Sequence, residues 1–196
     1  MLVPYLATYQ SQSNWVPYGH LICTPVSLLV ATTCLHSNDK ERALTAECVS
    51  QIMEMSHRLY QEIFSQTGQS LRIQDLFPYI PSQQFECTET AGTILPIKRK
   101  QDDGVLTHAE GMIIECLHHL LRGLVEEGTT PSCLIATANE HTVCFFADER
   151  GELFLFDPLP ASLCKMQNTS AELKRQFSSG DTIYSGLLLR KRFCSP

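Results

Sequence analysis

Hydrophobic positions follow a helical spacing in most of the first two thirds of the chain and a strand-like spacing in the last third. An apolar run predicts a helix over 24–36 that is buried on most sides, with Thr24 as N-cap and Pro25 at its first position. Spacings of three and four residues predict amphipathic helices over 41–66 and 107–126. The first of these is expected to turn inward the side chains of Leu44, Cys48, Ile52, Met55, Leu59, Ile63 and Phe64.

The last third predicts an antiparallel sheet. The expected strands cover 132–137, 141–146, 152–157 and 182–189, and a tight turn at 148–151 joins the second to the third. Residues 69–81 indicate a short connecting element, and 83–105 a hairpin or a mobile loop. Helices followed by an antiparallel sheet indicate an α+β fold. The length of 196 residues, without repeats or a long linker, predicts one domain over 1–196.

Composition excludes several classes of function. A net charge of −6 without a dense basic patch argues against a nucleic acid partner. No apolar run approaches the ~20 residues of a membrane span, so we expect no membrane partner, and we expect a monomer. The nine cysteines are irregularly spaced without a Cys-x-x-Cys pair, so neither a metal site nor a cofactor is expected. Without a signal peptide they indicate a reducing compartment: the cytoplasm, or host cytosol or nucleus for a viral or effector protein.

The candidate nucleophile is Cys23, which lies where a turn gives way to the first predicted helix. The positive end of a helix dipole favours the thiolate form of a cysteine at that position. A cysteine in an apolar segment is more often a small core residue, so Cys23 needs a base before it indicates catalysis.

His141 and Asp157 are the candidate base and orienting acid. The predicted turn pairs residues whose numbers sum to about 299, which places Asp157 almost opposite His141 on the neighbouring strand. A carboxylate there can hold the imidazole tautomer and stabilise its charged form. His20, three residues before Cys23, is a rival base, and an aspartate before a proline is also a common turn former.

An oxyanion needs hydrogen-bond donors near the thiol. The Cys23 backbone N–H can supply one, and an upstream side-chain amide can supply another. Gln10, Gln12 and Asn14 are all candidates, and the residue pattern alone does not choose among them.

Cysteine at a helix start, then histidine, then an acid on the next strand is the order of papain-like cysteine proteases. The Tyr18-Gly19-x-x-x-Cys23 approach and the Phe154-x-Phe156-Asp157-Pro158 segment resemble herpesvirus tegument deubiquitinases and their non-viral tegument-like relatives. The resemblance implies a papain-like fold, with Gln10 supporting the oxyanion and Asp157 as the acid. The family's histidine two residues after that acid is Leu159 here, so His141 is the expected base.

The resemblance implies a Cys-His-Asp deubiquitinase that cleaves after the C-terminal glycine of ubiquitin. Ubiquitin or a ubiquitin-like protein is then the partner. Three alternatives stay open: a protease for another ubiquitin-like modifier, a papain-fold transferase or deamidase, and a non-catalytic binding module. Residues 37–130 carry no motif that matches the family.

Overall fold

The computed structural model describes Cys23, His141 and Asp157 but not the whole chain. The predicted helix over 107–126, the oxyanion candidates Gln10, Gln12 and Asn14, and His20 lie outside the described residues. The structure describes residues 3–4, 21–37, 43–67, 71, 73–91, 132–138, 141–147, 150–159, 161–166 and 185–191.

Helix α1, Cys23–His36, begins one residue earlier than its sequence pattern predicts. Ile22 takes the N-cap position and forms no side-chain cap, while the Val26 N–H bonds to the Ile22 carbonyl at 3.0 Å. The prediction that Thr24 is the N-cap is therefore wrong, because its hydroxyl bonds across to the sheet. Pro25 is tolerated within the first turn, where no intrahelical bond needs its missing N–H.

Helix α2, Ala46–Thr67, begins five residues after its predicted start. Thr45 caps it, because its hydroxyl accepts a hydrogen bond from the Cys48 N–H at 3.2 Å. Met55, which the spacing predicted to face inward, is 49% exposed. Leu44, Ile52 and Ile63 are buried as predicted, and the buried stripe of α2 also includes Val49, Met53, Ser56 and Tyr60. A short 3₁₀ helix, Ile73–Tyr79, forms the predicted connection after α2.

Seven antiparallel strands form one sheet, so the described fold is α+β. The spatial order is β1-β6-β5-β4-β3-β7-β2. The sequence pattern missed β1 and β6, which are short and lie toward one edge of the sheet. Of the hairpin or loop expected over 83–105, residues 85–91 form strand β2, which pairs with β7, and 92–105 lie outside the described residues. The strands are β1 (Val3–Pro4), β2 (Phe85–Ala91), β3 (Ser132–Ala138), β4 (His141–Ala147), β5 (Leu153–Asp157), β6 (Ser162–Lys165) and β7 (Ser185–Lys191).

Helix α1 packs against α2 and also against β3, β4 and β5. It therefore lies between the second helix and the sheet, which explains why most of its side chains are buried. The sheet contributes large aromatic side chains to this core, including Phe146 and Phe154, whose rings stack with centroids 5.5 Å apart. Neither helix described here combines the length and apolar character that crossing a membrane requires.

The β4–β5 pairing differs by one residue from the predicted register. Cys144 pairs with Phe156 and Ala147 with Leu153, so paired numbers sum to 300 rather than 299. Continuing this pairing by one step sets Asp157 opposite Val143, two residues from His141. Side chains two residues apart leave a strand on the same face, so His141 and Asp157 are diagonal neighbours.

Candidate active site

His141 and Asp157 contact each other at the end of the β4–β5 pair. The His141 Nε2 atom lies 2.9 Å from the Asp157 Oδ1 atom, within hydrogen-bond distance. The imidazole is 24% exposed and the carboxylate 15%, so water screens this contact less than it screens a surface ion pair. Because Nε2 faces the carboxylate, Nδ1 is the ring nitrogen that can exchange a proton with a thiol.

The Asp157 carboxylate is held by the turn that follows β5. The Leu159 backbone N–H donates a hydrogen bond of 3.0 Å to Oδ1, the same oxygen that faces His141. An aspartate bonding the backbone two residues on is typical of an Asx turn, and Pro158 ends the strand. The turn-forming role and the imidazole-orienting role therefore coexist in one residue.

Cys23 is the first residue of α1 and is 4% exposed. Its sulfur is a reduced thiol, as in every described cysteine. At this position the thiol lies at the positive end of the helix dipole, and its backbone N–H belongs to the first turn of the helix. Such an N–H is the kind of donor that an oxyanion site uses.

Two contacts show how α1 runs along the sheet. Near its start, the Thr24 and Thr142 hydroxyl oxygens are 3.0 Å apart. Two turns later, the Cys133 thiol donates to the Ala31 carbonyl at 3.6 Å, and Cys133 pairs with Phe146 at the far end of β4. The helix therefore runs in the same direction as β4, and its first residue lies at the end of the sheet that carries His141 and Asp157.

The two residues at the start of β4 face opposite sides of the sheet. Thr142 faces α1, so strand alternation directs His141 to the other face. Cys23 and His141 nevertheless lie at the same end of the α1–β4 pair, because each directly precedes one member of the Thr24–Thr142 hydrogen bond. Cys23 lies at this end because the helix begins there.

The structure brings three of the four predicted site residues to one end of the sheet: Cys23, His141 and Asp157. The fourth, Gln10, lies outside the described residues, as does the rival base His20. Within the described parts of the chain, no group of three or more His, Cys, Asp or Glu side chains is arranged to hold a metal ion.

Sequence reasoning missed a group of buried hydroxyls beside the candidate triad. Thr24, Ser27 and Thr142 are at most 5% exposed and connect α1 to β4. The sequence contained a sign of this group, namely hydroxyl residues within apolar segments. A hydroxyl that is buried there needs a hydrogen-bond partner. Assigning Thr24 as an N-cap concealed that need.

Comparison with known proteins supports the fold. No family model matches the chain, and no curated protein matches its sequence. Among solved structures, it is similar to the ubiquitin-specific protease encoded by murine cytomegalovirus tegument protein M48, solved in complex with a ubiquitin-based suicide substrate. The match has a TM-score of 0.62 and covers 100% of this chain and 88% of that one at 15% identity. The protein thus shares its α+β fold with a viral ubiquitin-specific protease.

Proposed function

We propose that the protein is a thiol-dependent deubiquitinase that hydrolyses the peptide or isopeptide bond after the C-terminal glycine of ubiquitin. The observation that carries the proposal is the 2.9 Å contact between His141 and Asp157 at the end of the sheet where α1 begins with Cys23. The likeness to a ubiquitin-specific protease in complex with a ubiquitin-based substrate supports ubiquitin as the modifier.

In the proposed reaction, the His141 Nδ1 atom takes the proton from the Cys23 thiol. The thiolate attacks the glycine carbonyl, and the Cys23 N–H stabilises the oxyanion together with the amide proposed at Gln10. The imidazolium returns its proton to the leaving amine as the C–N bond breaks, which leaves a thioester. Water, deprotonated by His141, hydrolyses this thioester and regenerates the thiol. Asp157 orients the imidazole and stabilises its charged form throughout.

The first test is incubation of the purified protein with ubiquitin carrying a C-terminal propargylamide, followed by intact mass and peptide mapping. We expect one ubiquitin adduct on Cys23 and none in the Cys23→Ala variant. A Cys23 that small alkylating agents modify readily but the ubiquitin probe does not would contradict ubiquitin as substrate. It would favour another modifier, or a transferase or deamidase reaction.

The other cysteines set the control for this test. Cys87 is exposed and could react without any site, so the Cys87→Ala variant should retain full labelling. Burial raises the pKa of the Cys48 thiol, so Cys48 should stay protonated and compete poorly for the probe. Labelling that follows Cys87 rather than Cys23 would show surface reactivity only.

The burial of Cys23 favours one second candidate, a non-catalytic binding module. A cysteine that is 4% exposed in an apolar helix is an ordinary core residue unless a base activates it. In a binding module, ubiquitin would still bind, but Cys23 would react with small alkylating agents no faster than in the His141→Ala variant. Binding and alkylation measured side by side therefore separate the two candidates.

A further inference from the structure

Thr142 is the centre of a buried hydroxyl cluster that joins three elements. Its hydroxyl oxygen lies 3.0 Å from that of Thr24 on α1 and 2.8 Å from that of Thr137 on β3. Its backbone carbonyl accepts a hydrogen bond of 3.1 Å from the Ser27 hydroxyl, one turn further along α1. One strand residue therefore makes two hydrogen bonds to side chains in the first two turns of α1.

Because this cluster lies in an apolar environment, its hydrogen bonds can fix the position of α1 along the sheet. Thr142 and Ser27 are 0% exposed and Thr24 is 5% exposed, so these hydroxyls bond to protein groups: the Thr24 and Thr142 hydroxyls to each other, and the Ser27 hydroxyl to the Thr142 carbonyl. A hydroxyl has a single proton, so Thr142 can donate to one threonine while it accepts from the other. Apolar contacts can slide along a helix, whereas a bonded pair of buried hydroxyls holds one register.

The cluster lies next to the reacting groups in sequence. Thr24 directly follows Cys23, and Thr142 directly follows His141. The hydrogen bond between the two threonines therefore ties together the chain neighbours of the candidate nucleophile and of the candidate base. This hydrogen bond sets the distance between the start of α1 and the start of β4. Cys23 and His141 lie at these two positions, so the same distance controls whether the thiol reaches the imidazole.

We propose that Thr142 is a positioning residue, whose hydroxyl, bonded to Thr24, holds Cys23 and His141 in reacting register. The inference rests on the proposed function for its role in turnover. It does not depend on ubiquitin being the substrate, because thiol–imidazole register also controls the reactivity of Cys23 toward small electrophiles.

The test uses Thr142→Val, which keeps the shape of the side chain and removes its hydroxyl, and Thr142→Ser, which keeps the hydroxyl. On a fluorogenic ubiquitin C-terminal amide, we expect Thr142→Val to lower kcat by about 10- to 100-fold, the scale of a small misplacement of reacting groups. KM should stay near the wild-type value, and Thr142→Ser should recover most of kcat. Thermal melts establish the folded fraction of each variant.

Thr33→Val is the matched control. The Thr33 hydroxyl bonds at 2.7 Å to the Leu29 carbonyl within α1, so the variant loses a hydroxyl from the same helix without loosening it from the sheet. Its kcat should equal that of the wild type. Thr24→Val should also lower kcat, and the Thr24→Val/Thr142→Val double variant should be little worse than Thr142→Val, because Thr142→Val already removes the bond to Thr24 together with the contact to Thr137.

A second readout works without ubiquitin. Alkylation of Cys23 by iodoacetamide at about pH 6, where an ordinary thiol is almost entirely protonated, reports the reactivity that His141 confers. Thr142→Val should slow it and Thr142→Ser should restore it. If the wild type fails to turn over ubiquitin while this pattern holds, the proposed function fails and the positioning role stands.

Three results would overturn the positioning role. Thr142→Val with wild-type kcat and alkylation rate would show that the bond does not set the register. Loss of activity only in proportion to the unfolded fraction would show a purely structural hydroxyl. Additive effects of Thr24→Val and Thr142→Val would show that the two hydroxyls act separately.

Discussion

Strand β5 carries an acid at each end, and each acid contacts a basic side chain. At one end Asp157 contacts His141, with 15% and 24% of the two side chains exposed. At the other end Glu152, which directly precedes the strand, forms an ion pair with Lys165 on β6, and about a third of each side chain is exposed. The pairs have similar chemistry, yet only the first has the surroundings of an active site.

The difference comes from α1 and not from the pairs themselves. The helix begins at the Asp157 end, where Thr24 meets Thr142, and its later turns extend toward the Glu152 end. The Asp157 pair, and not the Glu152 pair, therefore lies at the end of the sheet where α1 begins with Cys23. An acid–base pair on a strand end becomes a candidate triad when a third element delivers a nucleophile.

The largest expected effect comes from removing the base at the Asp157 end. His141→Ala should lower kcat/KM on a ubiquitin C-terminal amide by about 10³- to 10⁴-fold, because the thiol loses the group that accepts its proton. Lys165→Ala, the equivalent change at the other end, should retain wild-type kcat/KM. Wild-type activity in His141→Ala would refute its assignment and direct attention to His20.

Removing the acid should cost less than removing the base. Asp157→Ala should lower kcat/KM by about 10²- to 10⁴-fold, because the imidazole loses the partner that orients it and stabilises its charged form, while the group that accepts the thiol proton is still present. Asp157→Asn should lose less than Asp157→Ala, since its amide oxygen can still accept from both His141 and the Leu159 N–H. Steady-state kinetics of both Asp157 variants measures these losses. Glu152→Ala is the control and should keep the wild-type kcat/KM. Equal losses in the alanine and asparagine variants would mean that charge, not orientation, is what Asp157 supplies.

A smaller gain tests whether the base can come from the turn that follows β5. Leu159 lies in this turn, two residues after Asp157, and its N–H bonds to the Asp157 carboxylate. Leu159→His in the His141→Ala background should therefore recover about 10-fold of the lost kcat/KM, part of what a positioned base supplies. No recovery, with the variant folded, would show that the turn directs side chain 159 away from the thiol.

The smallest effect is expected at the exposed Glu152 end of β5. Glu152→Gln should change the free energy of unfolding by less than about 1 kcal/mol, because water screens the Lys165 pair. Urea unfolding at low and high salt measures this difference, which should shrink further as salt rises. A change of several kcal/mol would mean that the two ends of β5 are less different than their exposure indicates.

The spacing of hydrophobic residues predicted helices and strands well where an element buries one face or all of its side chains. Helix α1 and strands β3, β4, β5 and β7 lie within a few residues of their predicted positions, because long apolar runs bounded by turn residues leave few alternatives. Short edge strands such as β1 were missed, because two residues carry no period. For the region of β2 the pattern left a hairpin or a loop open, because the polar residues of this strand give no sign of its pairing with β7.

For the candidate site, too, some features could be predicted from the sequence and others depended on packing. Sequence order alone singled out Cys23, His141 and Asp157, because a helix start, a strand start and a strand end can each be recognised locally. The one-residue difference in the β4–β5 register shows where that reasoning ends. Turn residues limit the register of a hairpin, but the packing of both strands selects it.

The amino-acid sequence by itself determined the α+β class, the central strands and the three residue types that a thiol hydrolase needs. Only the tertiary structure decided that α1 runs alongside β4, that its first residue lies at the His141 end, and that Thr24 bonds to Thr142 instead of capping the helix. The physical reason is that periodicity reports which residues avoid water. Which buried polar groups find one another depends on contacts more than 100 residues apart in the chain.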